Sequence, residues 1–424
     1  MRIEIICTGD EILTGKTVNT NFSYISGKLA EAGLAVARGT TVGDDRDSLL
    51  EAFRLAGERA DAVIVNGGLG PTVDDLSQEI AAKAAGVSLV LNQEWLERIE
   101  ALFRRHNLVM QPNNRKQALL PATAELIDNP IGTACGFELD IGGARFYFTP
   151  GVPKELYLML EEQIIPRLLT RSGTAAISRV KRFHLFGLGE SHADSLLEGI
   201  QDSLRDRDVK LGFQSHYPQL EVKLAARGHD AGELLGRLEP IEAEVRKRVG
   251  NFIVAEDDAT LEGIIAEILG RQAASLAVVE TLTSGLISAR LARLPTAGGF
   301  FRRGLIAAAA AEIETLLGLP GGSLSGGPLT EAAMREAARA AFRQTGSTHA
   351  LVVLADRDDA GQPAPGATVW IAVATAQEVA VRKSRLLRFS DDDWLRTGAV
   401  EMGLDTLRRF LLGLPIAEKI DAET

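Results

Sequence analysis

Twelve consecutive residues, Asn66-Gly67-Gly68-Leu69-Gly70-Pro71-Thr72-Val73-Asp74-Asp75-Leu76-Ser77, combine what is needed to hold a phosphate and its counter-ion. Glycines at 67, 68 and 70 let the backbone approach a ligand closely and adopt positive φ, while a helix starting beyond them offers unpaired N–H groups to an anion. Phosphate or diphosphate is the ligand such a loop fits. Asp74 and Asp75 supply hard oxygen atoms of the kind Mg²⁺ or Mn²⁺ takes while it bridges phosphate oxygens, which brings metal-assisted phosphate chemistry into view. In isolation the string would read as a glycine turn with Asp74 or Asp75 as a helix N-cap; its full length favours the ligand site.

A second polar cluster, Thr8-Gly9-Asp10-Glu11-Ile12-Leu13-Thr14-Gly15, is followed by Asn19-Thr20-Asn21. Here Glu11 is a candidate for the metal or for a ribose hydroxyl, against a solvated loop with Asn19 or Thr20 as a cap. Three more loops are rich in turn residues: Asn113-Asn114-Arg115-Lys116-Gln117, Asn129-Pro130-Ile131-Gly132-Thr133-Ala134 and Thr149-Pro150-Gly151-Val152-Pro153-Lys154-Glu155. Arg115, Lys116 and Lys154 are able to neutralise phosphate, arginine in a bidentate manner and lysine as a point charge. Alone, each is equally a surface charge or a helix start.

The elements that must position these loops follow from periodicity. Apolar runs Ile3–Cys7, Ala35–Val42 and Ala62–Asn66 alternate with helical patterns Asn21–Ala32 and Ser48–Arg59, which predicts βαβ units and a mostly parallel sheet over residues 1–170. Ligands bind beyond the carboxyl ends of parallel strands, so the clusters after the first strand and after Ala62–Asn66 are expected to face one crevice. Arg171-Ser172-Gly173-Thr174 reads as a linker. From about 178 to 255 the order strand Arg182–Gly187, helix His192–Ile200, strands Val209–Gln214 and Gln219–Ala226, helix Gly232–Val249 and strand Asn251–Val254 predicts a small α+β module. A third unit begins with helix Leu261–Arg271, contains β segments Leu276–Val279, Ala350–Leu354 and Val369–Ala374, and suggests a second layered α/β domain ending near residue 416. The polar tail Ala417–Thr424 is expected to fray.

Composition narrows the function classes. The chain has 424 residues, too many for one core. With 46% apolar residues and no run long enough for a membrane span, it reads as soluble and globular. Gly9, Asp10 and Glu11 break the N-terminal apolar run before it could serve as a secretion signal, and only two cysteines, Cys7 and Cys135, are present; cytoplasmic residence is expected. A net charge of −11 disfavours general nucleic-acid binding, which depends on basic side chains displacing counter-ions. Small phosphorylated ligands remain open.

Taken together, GDEILTG, NTN, GGLGPTVDD, NRKQALLP, NPIGTACGF and TPGVPKE resemble, in order and spacing, the N-terminal domain of the CinA family, related to the MoaB/MogA molybdopterin-binding fold. Gly187-Leu188-Gly189-Glu190-Ser191 is similar to the entry of that family's middle module. The resemblance implies an α/β architecture: a three-layer MoaB/MogA-like domain over 1–170, the α+β module over 175–256 and a nicotinamide mononucleotide deamidase-like domain over 258–416. It further implies a pyrophosphatase acting on ADP-ribose with a divalent ion (Mg, Mn or Co), and a homodimer. Carried over by residue, Asp74, Asp75, Glu11 and Lys154 become catalytic, with Asp74 and Asp75 on the metal. Gly67, Gly68, Gly70, Pro71, Thr72, Asn21, Arg115, Asn129, Gly132, Thr133, Gly151, Pro153 and Glu155 become substrate contacts. Asn19 and Cys135 depart from the Asp and Pro that the family usually has there.

The third domain departs further. Where the deamidase motif reads Ala-Glu-Ser-Leu-Thr-Gly-Gly, this chain has Val279-Glu280-Thr281-Leu282-Thr283-Ser284-Gly285, and the Tyr-Ser-Asn-x-x-Lys stretch falls on Ala308-Ala309-Ala310-Ala311-Glu312-Ile313. A threonine replaces the nucleophile, and Ile313 the lysine. The family's glycine-rich loop is replaced near Leu354-Ala355-Asp356-Arg357-Asp358-Asp359. A hydroxyl without a neighbouring base is a poor nucleophile, so the expectation is hydrolysis of ADP-ribose by the first domain and a degenerate site at Glu280, Thr281 and Ile313. The other readings are a nucleotide-binding scaffold or sensor without turnover, and a pterin-binding protein.

Overall fold

The first apolar run forms strand β1 (Ile3–Thr8), buried along its whole length, as a strand covered by helices on both faces must be. Around it, in a computed structural model that describes residues 1–173, 177–356, 368–385 and 392–421, stand β2 (Val36–Val42), β3 (Ala62–Asn66), β4 (Leu89–Leu91), β5 (Leu119–Pro121), β6 (Glu125–Ile127), β7 (Gly136–Ile141) and β8 (Ala144–Thr149). The main sheet has the order β2-β1-β3-β8-β7-β6, with β4 and β5 forming a separate pair. β1 is parallel to β2 and β3, and β3 to β8.

Alternation along these strands makes the three layers. Ile6, Val63 and Val65 join one hydrophobic cluster, while Ile3, Ile5, Cys7, Ala62 and Ile64 join another, because successive side chains of a strand leave opposite faces. Helices Thr20–Glu31 and Arg46–Arg59 fall within a residue or two of the sequence pattern. The antiparallel edge β6–β7–β8 is absent from that pattern. Its signal was the two-residue connection Gly142-Gly143, a hairpin composition, with Gly142 at φ 61. Cys7 and Cys135 are buried free thiols; burial pushes the Cys135 thiol up to about 12.

The chain divides into two compact units, residues 1–179 with 227–233, and residues 180–226 with 234–424. In the second, β9 (Ile177–Phe186), β10 (Val209–His216), β11 (Gln219–Gly228) and β12 (Ile253–Glu256) form a sheet of order β10-β11-β9-β12. The predicted helix His192–Ile200 starts two residues earlier and ends at Leu196, and a separate short helix, Gln201–Asp206, follows it. β13 (Leu276–Glu280), β14 (Phe301–Ile306), β15 (His349–Ala355), β16 (Thr368–Ala374) and β17 (Val379–Arg385) form the order β14-β13-β15-β16-β17, parallel from β14 through β15 and antiparallel beyond. The α/β class and the layered architecture are thus as the sequence predicts.

Two expectations fail. Arg171 and Ser172 end a helix, Ile165–Ser172, and Gly173 caps it in the left-handed region; Thr174 lies outside the described residues. The tail is docked as far as Asp421. Ile420 is buried, Glu418 pairs with Arg409, and the Asp421 amide donates to the Gly187 carbonyl at 2.8 Å. An apolar anchor and ion pairing outweigh the polar composition of the segment. Residues 422–424 lie outside the described residues.

Candidate functional site

Strands β1, β3 and β8 end side by side at Thr8, Asn66 and Thr149. The loops that leave them enclose a crevice of about 400 Å³. Asn66 ties its walls together, donating to the Thr149 hydroxyl at 3.1 Å and the Pro150 carbonyl at 2.6 Å. The Asn21 amide donates to Asn66 at 2.9 Å and to the Gly151 carbonyl at 2.8 Å. Gly67 and Gly68 take φ of 112° and 69°, which is why glycine is needed at both.

Helix Ser77–Ala85 begins later than the loop chemistry assumed. Neither Asp74 nor Asp75 caps it; the N-cap position is Leu76. Ser77 instead folds back, its amide donating to the Gly68 carbonyl at 3.1 Å and its hydroxyl to the Gly67 carbonyl at 2.8 Å. The first helical amide is therefore committed to the loop and unavailable to an anion. Asp75 accepts from the Thr72 amide at 2.8 Å and the Thr72 hydroxyl, so one of its oxygens clamps the loop. Lys116 donates to the Thr72 carbonyl from outside.

Of the residues chosen from sequence, Glu11, Gly67, Gly68, Gly70, Pro71, Asp74, Asp75, Thr133, Gly151 and Glu155 line the crevice. Asn21 and Thr72 brace it, as does Asn129, which accepts from the Gly132 amide at 3.0 Å and donates to Glu155 at 2.8 Å. Lys154, Arg115 and Pro153 do not line it and are exposed. Pro153 is the first residue of helix Pro153–Met159, whose geometry turns Lys154 to solvent. Arg115 sits in a 3₁₀ turn, Pro112–Ala118, that buries Gln117 instead. Asn19 is the N-cap of helix Thr20–Glu31, accepting from the Phe22 amide at 3.0 Å, a task asparagine and aspartate perform alike. Its replacement of an acid removes nothing from the crevice.

Asp44 was missed. It follows β2, which runs parallel to β1, so the rule that placed the other loops also places this one. Asp44 and Asp10 exchange backbone-to-carboxylate hydrogen bonds of 3.1 and 3.2 Å. The crevice thus collects Glu11, Asp44, Asp74, Asp75 and Glu155, and among the described residues no lysine, arginine or histidine lines it. Burial raises the Asp44 carboxyl above its ordinary value, and the charges of Asp10, Glu11 and Asp74 add to that. Burial likewise raises Glu155 against the opposing hydrogen bond from Asn129. Asp74 is held low by the Thr72 hydroxyl. No three acidic, histidine or cysteine side chains converge to hold an ion by themselves among the described residues. The donor chemistry fits a hard cation that completes its shell with oxygens of a ligand.

In the second unit, Glu280 ends β13, Thr281 follows it, and both are buried. The Glu280 carboxylate accepts from the Thr283 hydroxyl at 2.6 Å, the Ser288 hydroxyl at 2.6 Å and the Ser288 amide at 2.8 Å. It therefore fixes the turn in which Ser284 and Gly285 take positive φ. Ile313 belongs to the hydrophobic core with Val279 and Met334. The replaced loop beyond Asp356 lies outside the described residues.

Family profiles match the chain almost end to end: a probable molybdopterin binding domain over residues 4–170, a damage-inducible protein CinA KH domain over 180–255 and a CinA C-terminal domain over 258–411. A CinA-like protein of Shewanella sediminis is 38% identical over 97% of this chain and 96% of its own length. The nicotinamide-nucleotide amidohydrolase PncC of Shewanella oneidensis is 36% identical over the same shares. Among solved structures, the CinA protein of Thermoplasma acidophilum is 37% identical, covering 40% of this chain and 96% of that one, with a TM-score of 0.36. These comparisons overturn the expectation of an ADP-ribose pyrophosphatase whose amide-hydrolysing activity is absent. A chain-long relative is named for amide hydrolysis, and neither it nor the Shewanella sediminis relative is named for cleaving a diphosphate. Among the described residues, no helix is long and apolar enough to cross a membrane.

Proposed function

The chain belongs to the CinA family, and from that premise we propose that it is a nucleotide-binding protein whose N-terminal crevice grips the phosphate-bearing part of a small ligand together with a divalent cation. The observation that carries this reading is a positive-φ glycine loop and five carboxylates gathered at the carboxyl ends of parallel strands. Backbone amides of the loop suit phosphate oxygens. Five carboxylates without a basic side chain would repel a bare phosphate, so a cation must accompany it. Since no three carboxylates converge among the described residues, one or two of Asp74, Asp44 and Glu11 would hold that ion, ligand oxygens would complete its shell, and its charge would draw phosphate oxygens into the crevice. Asp75 keeps the loop in shape through Thr72, and Asn129 keeps Glu155 turned inward.

Calorimetric titration of the full chain with nucleoside mono- and diphosphates, with and without Mg²⁺, tests this. Saturable binding that requires Mg²⁺ is expected; equal binding in EDTA would remove the cation from the reading. A pterin phosphate in the same panel separates the ligand class named by the first family profile. Acidity supplies a further check. Asp44 and Glu155 are raised, so they take up protons as pH falls from neutral, before ordinary carboxylates do. A protonated carboxyl does not hold a cation. The rise in melting temperature produced by Mg²⁺ should therefore be largest near pH 7.5 and shrink from the upper edge of the carboxylate range downward. A Mg²⁺ effect that is constant from pH 4 to 7.5 would contradict the assignment.

A second reading concerns the second unit: amide hydrolysis of a nicotinamide nucleotide, supported by the name of the Shewanella oneidensis relative and by Thr281 on the rigid turn that Glu280 organises. With Ile313 in the core, any base that activates Thr281 must come from elsewhere. Ammonia release from nicotinamide mononucleotide by the full chain, lost in Thr281→Val, is the expected result. Release that survives this substitution would assign the chemistry to another group.

A further inference from the structure

One buried hydroxyl of the N-terminal crevice takes no part in holding the fold. Side chains alternate along β1, and Ile6 packs into the cluster that contains Ile80 and Ala81 of helix Ser77–Ala85. Thr8 leaves the strand on that same face, at its last position. It lines the crevice and is only 6% exposed. Its hydroxyl has no hydrogen-bond partner among the described residues.

The polar groups around it are matched to one another. A Cβ at residue 67 would lie 2.6 Å from the Thr8 hydroxyl, so that hydroxyl stands against Gly67. The Gly67 amide donates to the Thr149 carbonyl, the Gly67 carbonyl accepts from the Ser77 hydroxyl, and the Asn66 carboxamide is shared among Asn21, Thr149 and Pro150. Thr8 stands outside this set. A hydroxyl buried without a partner works against stability. The hydroxyls of Ser26, Ser384 and Thr406 are buried and unpaired as well, but only Thr8 among them lines the crevice.

The glycine loop offers donors of the same kind. The amides of Gly68, Leu69 and Gly70 donate to no group among the described residues. With the Thr8 hydroxyl they form a group of donors on either side of Gly67 that lacks an acceptor. Ionised carboxylates only accept hydrogen bonds, so none of the acidic side chains lining the crevice serves a ligand as a donor. Thr8 does so without adding charge.

We propose that Thr8 is a ligand-binding residue of this crevice, its hydroxyl donating to an oxygen of the ligand's phosphoryl group beside the amides of the glycine loop. The proposal rests on the reading of the crevice as a phosphate site, and it adds a side chain to which the sequence pattern gives no role.

Titration calorimetry of the full chain with a nucleoside diphosphate and with inorganic pyrophosphate, each with Mg²⁺, compares wild type, Thr8→Val and Thr8→Ser. Thr8→Val should weaken both ligands about tenfold, the scale of one hydrogen bond to a charged group. Thr8→Ser, which keeps the hydroxyl, should retain most of the affinity. Urea unfolding of the ligand-free chain adds a readout of the opposite sign: the midpoint of the first unit should stay or rise in Thr8→Val, because an unpaired buried hydroxyl has been removed. A lower midpoint would show that the hydroxyl serves the fold and would overturn the proposal. So would a loss confined to the nucleoside diphosphate, which would give Thr8 to the sugar or the base. Wild-type binding that Thr8→Val leaves unchanged would overturn this assignment alone and leave the phosphate reading standing, whereas absence of Mg²⁺-dependent binding in the wild type would bring down both.

Discussion

Gly67→Ala is expected to remove most nucleotide affinity from the N-terminal crevice while leaving the chain folded. Residue 67 sits at φ 112°, a region L side chains rarely adopt, and a Cβ there would lie 2.6 Å from the Thr8 hydroxyl and 2.9 Å from the Thr8 carbonyl. The neighbouring backbone has little room to yield. The Gly67 amide donates to the Thr149 carbonyl at 3.0 Å, and the Gly67 carbonyl accepts from Ser77. Strain of about 1–3 kcal/mol must be released by moving the loop, and if its amides lose their aim the dissociation constant rises by about tenfold or more. Gly70→Ala is the informative partner. Its Cβ would meet the Asp75 carboxylate at 2.4 Å, the end of a side chain, so Asp75 gives way and releases Thr72 at smaller cost. Calorimetry with a nucleoside diphosphate and Mg²⁺, alongside urea unfolding, separates the two effects. Wild-type affinity in Gly67→Ala would mean that this loop is not the phosphate site.

The largest loss of stability is expected from Asp405→Ala. Asp405 is fully buried, and its carboxylate accepts from Arg408 at 2.9 and 2.6 Å and from Arg409 at 2.7 Å. Both arginines are also buried, and both donate to the Asn251 carbonyl. Removing the one carboxylate between them leaves two cations without solvent, and the cost should be about 3–5 kcal/mol. Chemical denaturation should show the transition of the second unit moved to lower urea while that of the first unit stays in place. Arg409 also pairs with Glu418, so trypsin should reach the tail of the variant sooner. A double substitution, Asp405→Leu with Arg409→Met, should recover part of the loss, since apolar packing replaces buried ion pairs well. An unchanged urea midpoint in Asp405→Ala would show that water reaches the network.

Some of this was legible in the order of residues. The β–α alternation, the loop of three glycines and the place of both at one end of a parallel sheet follow from period-2 and period-3.6 patterning and from the backbone freedom of glycine, all of which are local. The same locality explains the successes in the second unit, where β13, β15 and β16 fall within a residue of the apolar runs read from sequence.

What the linear pattern could not decide was the direction of individual side chains and the pairing of distant segments. Arg115 and Lys154 have the right chemistry and the wrong exposure, Asp75 clamps its own loop, and Asp44 reaches the crevice from a strand whose neighbours only the sheet order defines. Ile313 stands where a family resemblance implies a lysine, and the fold uses it to fill a core. The tail reads as polar and loose until Ile420, Glu418 and Asp421 find partners far away in sequence. Period and glycine content are properties of neighbours along the chain, so local patterning is enough to set the scaffold and the glycine loop. Which carboxylates share a crevice, and which hydroxyl is left there without a partner, depend on contacts between segments far apart in the chain, and those exist only in the tertiary structure.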